Sequence, residues 1–441
     1  MVRAGADGSP DPTAPPTVGT YRVLLRNREF VGLLVSGGIS LIGDQVARVA
    51  LTVLVFERTG DPLLSAVAYA ATWLPACLGP LLSGIADRVP RRRVLIGTDL
   101  LRALILGVMV LPGMGWGALV AMVSLVTLLE GPARAARVPL LRETLQGEAA
   151  FRLGSGVDES VQQQGVTLGF LAAGATLAAV GPRACLLIDA ASFLLSALLI
   201  RALVAASQPA APAVPTARSI RDLVACVTSD VRIGWSAATA PGPRRPLLVC
   251  WIAASAVIAP EALIAPWART LGAGATMIGV LYAAPAFGCV AVLPLVGRVS
   301  AGRAERLLFP LVGLSLLPLL LCGADIPLAV AILTLAVSGA GASFTVLTRV
   351  QFLRHIGDDV AGRAYGIAAA GLYAGQGAVV LLAGALGRQL GPGHTIAVLA
   401  CGGAVGVAAV IALTDAGPEI HEFSASSNPA AVPKESLVAV R

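Results

Sequence analysis

Two acids stand near the middle of long apolar runs, Asp44 and Glu261. A charged side chain at the centre of a membrane helix costs about 2.5 to 3.5 kcal/mol on insertion scales, so each needs a partner, a polar cavity or a proton. Burial favours the neutral form of a carboxyl, which makes such acids candidates for proton coupling. Asp44 has Arg48 four residues on, with the acid toward the N-terminus, and that spacing suits an intrahelical ion pair. The same Asp44 can instead face a central cavity and carry a proton. Glu261 has no basic residue within four positions and lies between Pro260 and Pro266, which interrupt helix hydrogen bonding and permit bending. It reads either as a proton site or as a protonated acid bonded to a neighbouring helix. Gln162, Gln163 and Gln164 form a polar patch at the start of one run, where an amide facing inward could bond a substrate. With Arg48, Tyr282 and Tyr373 they make up the candidate substrate contacts. Glu130 lies beside Arg134 and reads as half of an interfacial ion pair, while Asp99, Arg102 and Asp189 are expected to snorkel toward a surface.

The elements that must hold these groups are membrane helices. The chain is 56% hydrophobic and 13% charged, whereas a soluble chain carries about 25% charged residues. Runs near the roughly 20 residues that cross a bilayer recur throughout. We read twelve, at 30–56, 63–86, 94–111, 117–136, 157–180, 184–203, 247–267, 277–299, 307–322, 326–348, 362–386 and 394–413. Loops rich in arginine stay cytoplasmic. An even count puts 26 of the 32 basic residues on the side of the termini and four (Arg58, Arg183, Arg269, Arg388) on the other, with Arg48 and Arg102 inside spans. Both termini are therefore expected in the cytoplasm, and the membrane is expected to be a bacterial inner membrane.

The longest polar interval, 205–245, separates two groups of six runs. Within it Ile220, Leu223, Val224, Val227, Val231 and Trp235 recur at helical spacing, as in an amphipathic helix lying on the cytoplasmic face of the bilayer. The expected organisation is a disordered tail at 1–20, six-helix halves at 21–204 and 246–414 joined by that linker, and a second cytoplasmic tail at 415–441. Asp44 lies fourteen residues beyond Phe30 and Glu261 fourteen beyond Leu247, so corresponding spans of the two halves each carry an acid at mid-membrane.

The loop Ser83-Gly84-Ile85-Ala86-Asp87-Arg88-Val89-Pro90-Arg91-Arg92-Arg93 resembles the Gly-x-x-x-Asp-Arg-x-Gly-Arg-Arg signature of the major facilitator superfamily, with Ser83 and Pro90 where glycines usually stand. Leu25-Arg26-Asn27-Arg28-Glu29-Phe30, Gly43-Asp44-Gln45 and Gly181-Pro182-Arg183-Ala184 are similar to the enterobactin-exporter-like branch, which contains drug and secondary-metabolite exporters. The resemblance implies an all-α membrane fold of two pseudo-symmetric six-helix halves, and a secondary transporter that works by alternating access. It also implies that Asp87, Arg88, Arg91 and Arg92 form a cytoplasmic gating network that holds the outward-open state. The fifth run, Gln162 to Gly169, lacks the Gly-Pro that the superfamily associates with antiport.

Other classes find little support. The adjacent acids Asp358 and Asp359 have no second motif with which to hold a diphosphate through Mg²⁺. His355, His394 and His421 share no metal-ligand spacing, no Walker loop is present, and the seven cysteines show no paired short spacing. The basic residues are scattered, not gathered into a nucleic-acid face. The expectation is a monomeric, proton-coupled exporter of a small amphiphilic molecule, with no cofactor and no catalytic residue. An importer, or a receptor of the same fold, is the alternative.

Overall fold

The computed structural model describes residues 24–72, 74–75, 89–145, 147–205, 220–296, 301–357 and 360–415. Every regular element among them is helical. Helix α1 (Arg28–Thr59) begins where the Asn27 side chain accepts from the Glu29 and Phe30 amides at 3.0 and 3.2 Å, satisfying donors a helix start leaves unpaired. It stops at Gly60, whose φ of 67° admits the left-handed turn. Helix α2 (Pro62–Ala71) is capped by Asp61 and has proline in its first turn, where no amide is missed. Then come α3 (Arg91–Met109), α4 (Trp116–Leu128), α5 (Glu130–Thr144) and α6 (Glu148–Leu203). Gly181, at φ 77° and ψ 170°, followed by Pro182, breaks α6 into two antiparallel spans, as the Gly-Pro pair predicts.

The second group comprises α8 (Pro241–Val257), α9 (Ala259–Thr270), α10 (Ala275–Val296), α11 (Ala301–Leu316) with a 3₁₀ extension to Gly323, α12 (Leu328–Ala342), α13 (Phe344–Arg354), α14 (Ala361–Leu390) and α15 (Pro392–Asp415). Between the groups lies α7 (Ile220–Ala238). Among the described residues nine helices are long and apolar enough to cross a membrane. The break in α6 adds a span, α2 opens another, and α3 supplies the last, its mean hydropathy lowered by three leading arginines, Asp99 and Arg102. The described residues thus begin or contain each of the twelve runs read from the sequence. The fourth, seventh and tenth are bent: α4 passes into α5 at Leu129, α8 into α9 just before Pro260, and α12 into α13 at Ser343.

Helix α7 forms where the amphipathic spacing places it, but it docks on protein. A Cβ on Gly234 would lie 2.7 Å from the Arg363 carbonyl, so α7 crosses the start of α14 at close range, and Trp235 packs on Trp251 with ring centroids 6.4 Å apart. Trp235 and Val231 keep an exposed face.

The halves meet at the end far from this linker. The largest apolar core draws Val49, Val53 and Phe56 of α1, Tyr69 of α2 and Phe170 of α6 together with Leu263 of α9, Leu281 and Tyr282 of α10 and Val380 of α14. Phe170 and Tyr282 stack at 5.8 Å, an arrangement worth about 0.5 to 1.5 kcal/mol beyond burial. Helices α6 and α10 touch backbone to backbone, since a Cβ on Gly279 would fall 1.9 Å from the Gly174 Cα. At the rim Arg388 of α14 grips the Asp61 carboxylate, its Nε donating at 2.6 Å. Toward the linker the halves part around a cleft of about 490 Å³ between Glu159 and Ser160 of α6 and Leu247, Trp251, Phe352 and Leu372 of the second half. Among the described residues the halves pack together at the far end and are separated by this cleft at the linker end.

Candidate functional site

A cavity of about 330 Å³ lies at the meeting of the halves, and its lining follows helical spacing on each wall. Leu41, Asp44, Gln45 and Arg48 form one stripe of α1; Val123, Val126, Thr127, Glu130 and Arg134 form one along α4 and α5. Tyr69 and Thr72 come from α2, Arg102 and Leu106 from α3, Val166, Phe170, Leu186 and Asp189 from α6. The second half contributes Ile258, Glu261, Tyr373 and Gln376. Four carboxylates and three guanidiniums therefore share one small space inside the membrane span. Unpaired charges in such a place mark ion and substrate paths.

Glu261 sits on the first turn of α9, just past the bend before Pro260. Its Oε2 accepts a hydrogen bond from the Tyr69 hydroxyl of α2, across the interface between the halves. Tyr282 steadies the turn from behind by donating to the Glu261 carbonyl at 2.9 Å. Glu261 is thus bonded to a neighbouring helix, an arrangement that both sequence alternatives for this acid accommodate.

Asp44 does not pair with Arg48: among the described residues neither belongs to an ion pair, although Asp44 is in electrostatic reach of Arg102, Glu130, Arg48 and Asp99. What adjoins it is a second carboxyl. Asp189 packs against Gly43, where a Cβ would fall 2.4 Å from its Oδ1, and Ser192 donates to that oxygen at 3.1 Å. Asp189 is 1% exposed and Arg102 6%, so the expectation that they snorkel to a surface is overturned; both face the cavity. Asp99 is equally buried and accepts from Ser196 at 2.7 Å. Glu130 does pair with Arg134, whose Nε donates at 2.8 Å, but the pair lines the cavity wall. Arg134 also bonds Tyr373.

Gln162, Gln164 and Tyr282 do not line the cavity. Gln162 shares the stripe of Val166 and Phe170 but sits a turn nearer the linker end, where its amide donates to Asp158 at 3.3 Å. Gln164 points to another, exposed face, and the side chain of Gln163 lies outside the described residues. Tyr282 is fully buried behind Glu261. Asp87 and Arg88 of the expected gating loop also fall outside the described residues. Arg91 pairs with Glu143 of α5, and Arg92 donates to the Arg201 carbonyl of α6. Nearby Arg137 pairs with Asp158 at 2.7 Å and donates to the Leu33 carbonyl at 2.8 Å, over the bare face of Gly37. These contacts tie the linker end of the first half to itself.

No family model matches the sequence, and no curated protein does. Solved structures match in shape. A POT family transporter in complex with a thioalcohol-conjugated peptide aligns with a TM-score of 0.67 at 12% identity, over 88% of this chain and 96% of that one. A POT family transporter in complex with 5-aminolevulinic acid gives 0.68 at 12%, over 88% and 96%. The nucleoside transporter NupG gives 0.62 at 13%, over 87% and 99%. The likeness reaches the superfamily's architecture and not the enterobactin-exporter-like branch. The chain has the all-α major facilitator fold, two six-helix halves around a central cavity, of a multi-pass membrane protein.

Proposed function

We propose that this chain is a secondary transporter that carries a small organic solute by alternating access, with proton binding at Glu261 coupled to the movement of the halves. The bond from Tyr69 to Glu261 carries this reading, because it joins a titratable group in the cavity to the contact that keeps the far end closed. A carboxylate only accepts; a protonated carboxyl also donates, so its bond to a phenol is remade when a proton arrives. A ligand shifts an equilibrium between two packings only by binding them unequally, and a proton at this bond does so. Asp44, beside Asp189, is the second proton candidate. Solved transporters of the same shape support the transport role, as does the placement of the cavity between the halves.

The finer reading follows the sequence. The branch resemblance favours export of an amphiphilic drug, siderophore or secondary metabolite in exchange for protons; uptake would use the same groups in the opposite sense. The arginine asymmetry puts the linker, the tails at 1–20 and 415–441 and the open cleft in the bacterial cytoplasm, with the halves spanning 21–204 and 246–414. The working unit is a monomer with no cofactor and no enzymatic step.

The test is flux of a panel of amphiphilic compounds into liposomes bearing the purified protein and an imposed pH gradient. Gradient-driven flux in the wild type, lost in Glu261→Gln and reduced in Asp44→Asn with thermal unfolding unchanged, is expected. The gradient polarity that drives it gives the direction. Ligand binding without flux would make the chain a receptor.

A further inference from the structure

The central cavity holds two guanidiniums that the fold leaves uncommitted. The ion pairs among the described residues engage Arg91, Arg134, Arg137 and Arg388; Arg48 and Arg102 belong to none. Both line the cavity, and each has a buried Nε without a hydrogen-bond partner. Arg102 lies with its guanidinium 5.1 Å from the centre of the Phe193 ring. That contact uses a face of the guanidinium and leaves its in-plane N–H donors free. The cavity acids are largely engaged elsewhere: Glu130 with Arg134, Glu261 with Tyr69, Asp189 with Ser192. Asp44 stands within electrostatic reach of both arginines without pairing to either. A guanidinium kept this deep in a membrane protein without an ion pair is costly, and a ligand anion would offset the cost. Its planar fork matches a carboxylate or phosphate two bonds at a time.

The space around the pair gives the rest of the ligand. Tyr373 lines both the polar cavity and the linker-side cleft, so the two adjoin at that side chain. The cleft walls include Leu247, Trp251, Phe352 and Leu372, which suit an apolar body. Resting on the reading of this cavity as the transport site, we propose that Arg48 and Arg102 form an anion-binding subsite. The cargo is then an amphiphilic carboxylate or phosphate monoanion, with its head between the two arginines and its apolar part in the cleft.

The full chain in phosphatidylcholine nanodiscs, titrated with dansyl undecanoate, the matching primary amide and the matching amine, tests this directly. The carboxylate is expected to bind at least about 10-fold tighter than the amide or amine. Arg48→Gln and Arg102→Gln should each weaken it about 10- to 100-fold, with the amide unaffected, since hydrogen bonds to charged groups carry about 1.5 to 3 kcal/mol. Arg102→Lys should restore part of the loss. Equal binding of the three probes to the wild type, a comparison that needs no variant, would overturn the subsite. Repeating the titration with phosphatidylglycerol in the disc separates sources of the anion. Competition that grows with the anionic lipid and vanishes in the arginine variants supports the subsite and identifies a lipid headgroup as its occupant. Selective binding of the carboxylate without gradient-driven flux would sink the transport reading and leave the subsite standing. Flux of the amide equal to that of the carboxylate would do the reverse.

Discussion

Among the described cavity carboxylates, Glu261 is the one whose hydrogen bond crosses from one half to the other, and it owes that position to a bend just before Pro260. Tyr69→Phe removes the donor and keeps the ring, so we expect it to weaken the response of flux to pH while leaving the fold intact; an unchanged response would detach the bond from coupling. Gly43 matters in another way. Its missing Cβ lets Asp189 and Ser192 approach α1 beside Asp44. Gly43→Ala should cost about 1 to 3 kcal/mol by overpacking, lower the thermal midpoint and reduce flux, and a variant as stable and active as the wild type would contradict the packing described here. The acids and Arg48 were legible in the sequence because a charge in an apolar run is conspicuous by itself. The partners were not. Tyr69 lies 192 residues from Glu261, and nothing in a tyrosine among alanines announces such a bond. Gln162 shows the complementary failure, since its stripe was the right one and its height along α6 was not.

At the scale of elements, the far end closes where α2 meets α14 and α6 meets α10. In the loop before α2, the hydrogen bonds from Arg388 hold the Asp61 carboxyl below the usual carboxylate range. A carboxyl depressed by a partner present only when this end is closed favours closure above its ordinary titration range, and that contribution is lost as pH falls through the depressed value. Spin labels placed across the rim on α2 and α14 are therefore expected to separate in acid. Asp61→Asn should widen their distances at neutral pH and remove the acid response. Distances that stay fixed through the acid range would show that the pair does not bear on closure. The backbone contact of Gly174 with Gly279 has no charge and no pH dependence; Gly279→Ala should hold the far end apart at any pH, read by the same labels. The spans, the break at Gly181-Pro182 and the bend before Pro260 were legible because hydropathy, proline and glycine act locally. The rotation of each helix, which decides that Arg102 and Asp189 face a cavity, is set by neighbours distant in sequence.

For the whole molecule, under the proposed function, the packed far end and the cleft at the linker end, both among the described residues, are the two marks of a single state in an alternating cycle. Twelve spans and a central linker could be counted from the sequence because the bilayer imposes length and arginine placement on each segment separately. Which end is closed could not, since it depends on how the halves pack. Cycling requires the far-end contact to break and reform. The most direct test joins Asp61→Cys to Arg388→Cys with a short cleavable bifunctional thiol reagent, in a background whose native cysteines are replaced, and follows gradient-driven flux in liposomes. Flux should stop when the bridge forms and return when it is reduced, with ligand binding from the linker side preserved throughout. Flux that continues undiminished through a complete cross-link would contradict alternating access through this cavity.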